Sequence, residues 1–206
     1  MHHIYLELGP KKVFACSLDW PGWCRVDKSE ELAIDRLTDY APRYRVIAER
    51  AGLDFAPGEP VVVERVKGSS TTDFGAPAAE PAADSAPVDP ATAARDVALL
   101  RAAWALFDET AAVTPEELRK GPRGGGRDRS KMVAHVTEAE RSYARQLGVR
   151  YPPYRSVADR DAMRAELAAV LLAGGSGAWS TRYACRRIVW HVIDHLWEME
   201  DRRSAG

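Results

Sequence analysis

Three histidines have the spacing of ligands that surround one metal ion. His191 and His195 lie four positions apart in an apolar-periodic stretch, so both project from one face of a helix, one turn apart. His135 lies between Met132 and Val136 on the apolar side of another predicted helix. Three neutral imidazoles can bind a divalent ion and leave one position open for water or a substrate. The pattern predicts a metal site, and the alternative is three core or surface histidines with local hydrogen bonds.

Polar residues of two kinds accompany this predicted site. Glu138 follows His135 by one helical turn and is the candidate catalytic residue, as a general base or a water-orienting group; a solvated carboxylate is the alternative. The glycine-rich segment 121–129 precedes the helix of His135 and contains Arg123, Arg127 and Arg129. Arginines at a helix N-terminus can bind a carboxylate or phosphate of a substrate. A loop without a ligand is the alternative, because the GK[ST] ending of a phosphate-binding loop is missing.

Apolar periodicity predicts four long helices in the second half of the chain. They cover residues 92–109, 130–147, 157–173 and 180–202. A capping box at 114–117 predicts one further helical turn. On the last helix, Asp194 is expected to support the site or to pair with Arg186 or Arg187. Helices of this length predict an all-α four-helix bundle over residues 91–206.

The number and order of these histidines resemble the DinB/YfiT-like superfamily of metal-binding four-helix bundles. In that superfamily one histidine comes from the second helix and an HxxxH motif from the last. The matching segments are KMVAHVTEAE, which contains His135, and RRIVWHVIDHLWEMEDR, which contains His191 and His195. The resemblance implies that these three residues bind a divalent ion. Zn²⁺ is the first candidate, and the ligand set also accepts Ni²⁺, Fe²⁺ or Mn²⁺.

The first part of the chain has a mixed pattern. Two β-prone runs at 4–8 and 13–18 flank a Gly-Pro turn signal and predict a hairpin. Ser29 can cap a following helix, which continues to Ala48 with a kink from Pro42 near Tyr40. A third strand is predicted at 61–66. The order β-β-α-β predicts a small α+β domain over residues 1–67.

The segment VFACSLDWPGWCRVDKSEELAIDRL resembles the HicB-like antitoxin domain, in which a strand runs into a D-x-P-G turn and then an acidic helix. The motif here is Asp19-Trp20-Pro21-Gly22. The resemblance implies a binding or assembly module without catalytic residues. Trp20 and Trp23 flank the turn, and packing over the sheet is favoured over a ligand pocket or a domain interface.

The overall composition limits the partners and the compartment. The net charge of −1 creates no global field for nucleic acid, which is therefore not expected as a partner. Cys16, Cys24 and Cys185 lack CxxC spacing and are predicted to be free thiols. No apolar stretch approaches the roughly 20 residues that cross a bilayer, and no signal-peptide pattern opens the chain, so we expect a cytoplasmic protein without a membrane partner. A homodimer is compatible with this composition. Between the two predicted domains, residues 68–90 contain four prolines and no basic residue, which predicts a partly extended linker.

Three functional hypotheses follow. The DinB-like resemblance implies a metal-dependent transferase that activates a low-molecular-weight thiol, such as mycothiol, for transfer to an electrophilic small molecule. In this hypothesis the glycine-rich segment 121–129, called the arginine loop, holds an anionic group of the substrate. Glu138 assists proton transfer. The first alternative is a metal-dependent hydrolase with the same ligands and water in place of the thiol. The second alternative is a non-catalytic regulatory or assembly protein that senses a metal or another ligand.

Overall fold

A computed structural model describes residues 1–120, 126–175 and 177–203. The described strands are β1 His2–Leu8, β2 Val13–Ser17, β3 Cys24–Asp27 and β4 Pro60–Lys67. The described α-helices are α1 Glu30–Asp39, α2 Ala41–Arg50, α3 Ser70–Phe74, α4 Pro90–Val113, α5 Arg129–Gln146, α6 Val157–Leu172 and α7 Thr181–Arg202. A short 3-10 helix covers Ala82–Ser85. The order confirms a small mixed α+β part followed by a helical part.

The four strands form one mixed sheet with the order β3-β2-β1-β4. The first three strands are antiparallel neighbours, and β4 runs parallel to β1. The predicted β-β-α-β order was wrong because it omitted β3. This strand has only four residues. It pairs with β2, and Val26 lies opposite Phe14. A run this short carries too little local signal to be recognised without its partner strand.

The predicted kinked helix is two helices. α1 begins at the Ser29 cap and ends at Asp39, and α2 begins at Ala41. Pro42 lies in the first turn of α2, where its missing N–H removes no intrahelical hydrogen bond. The proline therefore starts a new helix instead of bending a continuous one.

Residues 68–90 fold back over both parts of the chain. They contain α3 and the 3-10 helix, two short helical stretches that the prediction of a partly extended linker did not specify. The buried Glu7 carboxylate accepts hydrogen bonds from the backbone N–H groups of Ala78 and Ala79. Asp84 forms a buried ion pair with Arg186 of α7. Buried charges of this kind need partners, and this segment supplies them.

The four long helices contact one another in pairs: α4 and α5 each contact α6 and α7. Their bounds lie within four residues of the predicted ones. The helical turn predicted at 114–117 was wrong, since none of the described residues 114–120 is helical. Thr114 donates its hydroxyl to the Thr110 carbonyl and closes the end of α4 instead of capping a new helix. Among the described residues, no helix is long and apolar enough to cross a membrane.

The sheet packs on both of its faces. One face, with Ile4 and Leu6, joins α1, α2 and the long helices in a single hydrophobic cluster. The other face, with Tyr5, Phe14, Cys16 and Cys24, packs against Trp190 of α7. Trp23 lies on the first face, where it stacks on Tyr44 at 5.5 Å, in agreement with the packing expected of it. Both Cys16 and Cys24 are buried free thiols, as is Cys185.

Candidate metal centre

Two neighbouring faces of α7 have different tasks. Arg186, Trp190 and Asp194 recur every four residues on the face that packs against the sheet. His191 and His195 also lie one turn apart, and their face is turned toward α5. Arg186 and Trp190 on the first face and His191 on the second are buried, while Asp194 and His195 are partly buried. His191 and His195 therefore face α5, the helix that contains His135.

The three imidazole rings surround a common point. Their centroids lie 5.0 Å apart for His135 and His191, 4.9 Å for His135 and His195, and 4.7 Å for His191 and His195. One ring nitrogen from each residue lies within 4.8 Å of the others. The Nε2 atoms of His135 and His191 are 3.2 Å apart. Two nitrogens bound to a tetrahedral Zn²⁺ at about 2.0–2.1 Å are separated by about 3.3 Å, so this pair has the separation of two ligands.

Glu198 orients the third histidine. The Nδ1 atom of His195 lies 2.8 Å from the Glu198 carboxylate, so Nε2 is the ring nitrogen that remains for a metal ion. Arg202 pairs with the other carboxylate oxygen at 2.6 Å. The hydrogen bond from His195, with help from Arg202, lowers the pKa of Glu198 below its usual range. A carboxylate behind a ligand histidine fixes the ring and raises its basicity as a ligand.

The environment keeps two of the imidazoles neutral. Burial, together with the neighbouring His195 and His135, lowers the pKa of His191 to about 2. Burial and the charge of His195 lower the pKa of His135 to about 4. Neutral imidazole is the form that donates a lone pair to a metal ion. These two imidazoles therefore fit a divalent ion at neutral pH without a proton having to leave first.

Glu138 has a different partner from the one expected. Its half-exposed carboxylate pairs with Arg141 at 2.6 Å. The cluster of converging ligand atoms that the described residues form consists of the three histidines and contains no carboxylate. Sequence reasoning overlooked Glu198, although its position three residues after His195 on the same helix was the available signal.

Asp194 pairs with Arg25 of β3, so the expected pairing with Arg186 or Arg187 was wrong. Arg186 instead pairs with Asp84, and Arg187 donates to the Pro77 carbonyl at 2.6 Å. The reason is that the sheet and residues 68–90 both contact this side of α7. Asp194, Arg186 and Arg187 therefore find their partners in these segments and not on the helix itself.

The arginine loop is described only in part. Arg123 lies outside the described residues. Arg129 pairs with Glu116 at 3.0 Å and donates to the Thr114 carbonyl, so its guanidinium holds the preceding segment in place. Arg127 is exposed, and its positive charge contributes to the lowered pKa of both His135 and His191. Of the two described arginines, Arg127 is the one whose charge reaches the histidines.

Aromatic rings and a further arginine cover one side of the cluster. Tyr143 meets the His191 ring edge-on at 5.6 Å, and Trp179 packs on Tyr143 at 5.4 Å. The Arg187 guanidinium lies 5.6 Å from the Tyr143 ring centre and 4.7 Å from that of Trp190. This side of the cluster therefore presents aromatic surface and positive charge.

No protein-family model, curated protein or solved structure matches the chain. The DinB-like and HicB-like resemblances remain predictions that rest on the quoted motifs.

Proposed function

We propose that this chain is a metalloenzyme of the DinB-like type, in which His135, His191 and His195 bind one divalent ion. Zn²⁺ is the first candidate, with Ni²⁺, Fe²⁺ or Mn²⁺ as further candidates. The observation that carries the proposal is the convergence of three ring nitrogens within 4.8 Å, two of them 3.2 Å apart. Helices α5 and α7 would then belong to a four-helix bundle with the metal between them.

An ion held by three histidines supplies Lewis acidity at its remaining position and lowers the pKa of a thiol or water that enters there. The residues of the chain prepare this position. The neutral rings of His135 and His191 present lone pairs, and Glu198 holds His195 in the required orientation. Arg127 and Arg187 favour a molecule that carries negative charge beside the reacting group.

The leading activity is the transfer of a low-molecular-weight thiol, of the mycothiol type, to an electrophilic small molecule. It is supported by the DinB-like motifs and by the positive charge near the histidines, since such thiols carry anionic or strongly polar groups. Glu138 would accept the thiol proton only after it leaves its pair with Arg141. The enzymatic alternative remains hydrolysis with the same ligands.

A second candidate function is a metal sensor without catalysis. One observation favours it: in the described part of the chain, the histidine cluster contains no carboxylate that could serve as a base. In this case the small α+β part would serve for assembly, as the HicB-like resemblance implies.

Elemental mass spectrometry of the purified protein tests the metal site. We expect about one divalent ion per chain, lost in His135→Ala and in His191→Ala. His3→Ala is the matched control, because His3 is exposed and pairs with Asp19 away from the cluster. A protein that is purified without metal and does not bind added Zn²⁺, Ni²⁺, Fe²⁺ or Mn²⁺ would overturn the proposal.

Mass spectrometry of reaction mixtures then separates the activities. The metal-loaded protein is incubated with a thiol and an electrophile, and the His191→Ala variant serves as the blank. A thiol adduct supports the transferase, and a water-addition product supports the hydrolase. Metal binding without either product supports the sensor.

A further inference from the structure

A cavity lies between the sheet and the first turns of α4 and α7. Its outer part has a volume of about 400 Å³. An inner part of about 40 Å³ adjoins it, and both are lined by Leu18, Asp96 and Arg182. Asp84 and Arg186 also line the inner part, and Trp20 also lines the outer part. Because they share three lining residues, the two parts are together called the composite cavity, and none of the three clustered histidines lines it.

Arg186 lines the inner part, and its buried guanidinium has N–H donors without a hydrogen-bond acceptor in the described part of the chain. The residue is 5% exposed, and its Nη2 atom pairs with Asp84. Its Nε and Nη1 atoms have no hydrogen-bond partner among residues 1–120, 126–175 and 177–203. Buried donors without acceptors are unfavourable, and a charged group raises that cost. The inner part of the cavity therefore calls for a hydrogen-bond acceptor.

The carboxyl group of Asp96, which lines both parts, has one weak side-chain partner. Its contact with Arg95 is long, at 3.4 Å, and the Arg95 guanidinium lies over the Trp20 ring at 4.2 Å. Burial raises the pKa of Asp96 to about 6. Arg182 has already donated to the Ala86 and Pro87 carbonyls. Asp96 is thus a poorly compensated acceptor that lines the inner part together with Arg186.

We propose that this composite cavity binds a small α-amino or α-hydroxy acid. The carboxylate of the ligand accepts hydrogen bonds from Nε and Nη1 of Arg186. The adjacent ammonium or hydroxyl group donates to Asp96, and the rest of the molecule extends into the outer part against Trp20. A bare anion fits less well, because Asp96 would repel it. The site goes beyond the proposed metalloenzyme function and does not depend on it.

Calorimetric titration of the full-length protein at pH 7.5 tests this site. The probes are L-serine, L-phenylalanine and L-lactate, with acetate and inorganic phosphate as anions that lack an adjacent donor. We expect at least one of the first three to bind, and to bind at least tenfold more tightly than acetate or phosphate. Asp96→Asn should weaken that binding at least tenfold, because the amide replaces a charged acceptor. Arg101→Gln is the matched control on an exposed position of α4 and should leave binding unchanged.

Arg182→Gln provides a second variant that should also weaken binding, should Asp96→Asn fail to fold. His191→Ala separates the two sites, since it should retain the full affinity for the acid while it loses the metal. Equal binding of acetate or phosphate would overturn the chemical class. Absence of binding by all five probes would overturn the site and leave water as the partner of Arg186.

Discussion

The helical part contains two buried polar clusters that differ in how well their groups are satisfied. Around Glu140, the carboxylate accepts from Trp104 at 2.7 Å and from Arg164 at 3.0 and 3.1 Å. Arg164 in turn pairs with Asp108 at 2.9 Å. In the histidine cluster, by contrast, Nδ1 of the buried His191 has no hydrogen-bond partner in the described part of the chain.

The difference separates a structural network from a candidate site. The charged groups around Glu140 compensate one another, so no further ligand is required. The three histidines instead bring one potential metal ligand each to within 4.8 Å of the others, an arrangement that a divalent ion can use. Burial of polar residues alone is therefore a poor sign of function. Unused binding capacity at a shared point is the better one.

The largest expected effect concerns the satisfied network. Glu140→Ala leaves Arg164 buried without its main partner and should lower the free energy of unfolding by about 3–5 kcal/mol. Urea unfolding followed by circular dichroism measures this change. Glu138→Ala is the matched control on the same helix, because its ion pair with Arg141 is half exposed and contributes about 0–1 kcal/mol. Equal losses in the two variants would mean that the Glu140 network has no special structural role.

Metal addition tests the other half of the comparison. Zn²⁺ at a free concentration 100-fold above its Kd should raise the free energy of unfolding by about 2.7 kcal/mol in the wild type. His191→Leu should abolish this gain, because it removes one ligand while filling similar space. Thermal unfolding with and without Zn²⁺ provides the measurement. A gain that survives in His191→Leu would place the ion elsewhere on the protein.

The stability of the metal-free protein should depend on pH through His191. Its folded-state pKa of about 2 lies below the unfolded value of about 6.5, so the unfolded chain binds more protons in this interval. The stability is fully present above pH 6.5 and is lost as the pH falls, by about 1.4 kcal/mol per unit from this residue. Urea unfolding at pH 8, 6.5 and 5 measures the slope.

The matched variant for this slope is His191→Leu, which should show a flatter pH profile. His2 is also buried, and burial lowers its pKa to about 4, so it adds an acid-sensitive contribution to both proteins. Identical profiles in the two proteins would show that His191 is not the group responsible.

The smallest effect is expected behind the ligands. Glu198→Gln keeps the size of the side chain but removes the charge that orients His195. We expect the Kd for Zn²⁺ to rise by about 10–100-fold, with the stoichiometry unchanged. Competition with a chromophoric chelator measures the constant. Glu138→Gln should leave it unchanged, and the reverse result would restore Glu138 as the residue that supports the site.

The chain illustrates why some elements are readable from sequence. Helices α4 to α7 have apolar residues every three or four positions, and that period is a local property. The same period placed His191 and His195 on one face and His135 on an apolar side. The DinB-like resemblance supplied the expectation that the three residues meet, and the structure brings them together.

Partners of charged groups were a different matter. Glu138 and Glu198 each lie about one turn from a histidine, yet only Glu198 contacts one, because Arg141 binds Glu138. Asp194 contacts Arg25, which is far away along the chain. Strand β3 likewise depends on β2 for its order.

Local periodicity thus determined the long helices and the common face of His191 and His195 from the sequence alone, since both follow from spacing along one helix. The tertiary structure decided which carboxylate faces a histidine and which donors of Arg186 remain free. It also decided how residues 68–90 fold against the sheet. The physical reason is that ion pairs and strand pairs join segments that are distant along the chain. The residues next to each partner in sequence therefore do not determine which pair forms.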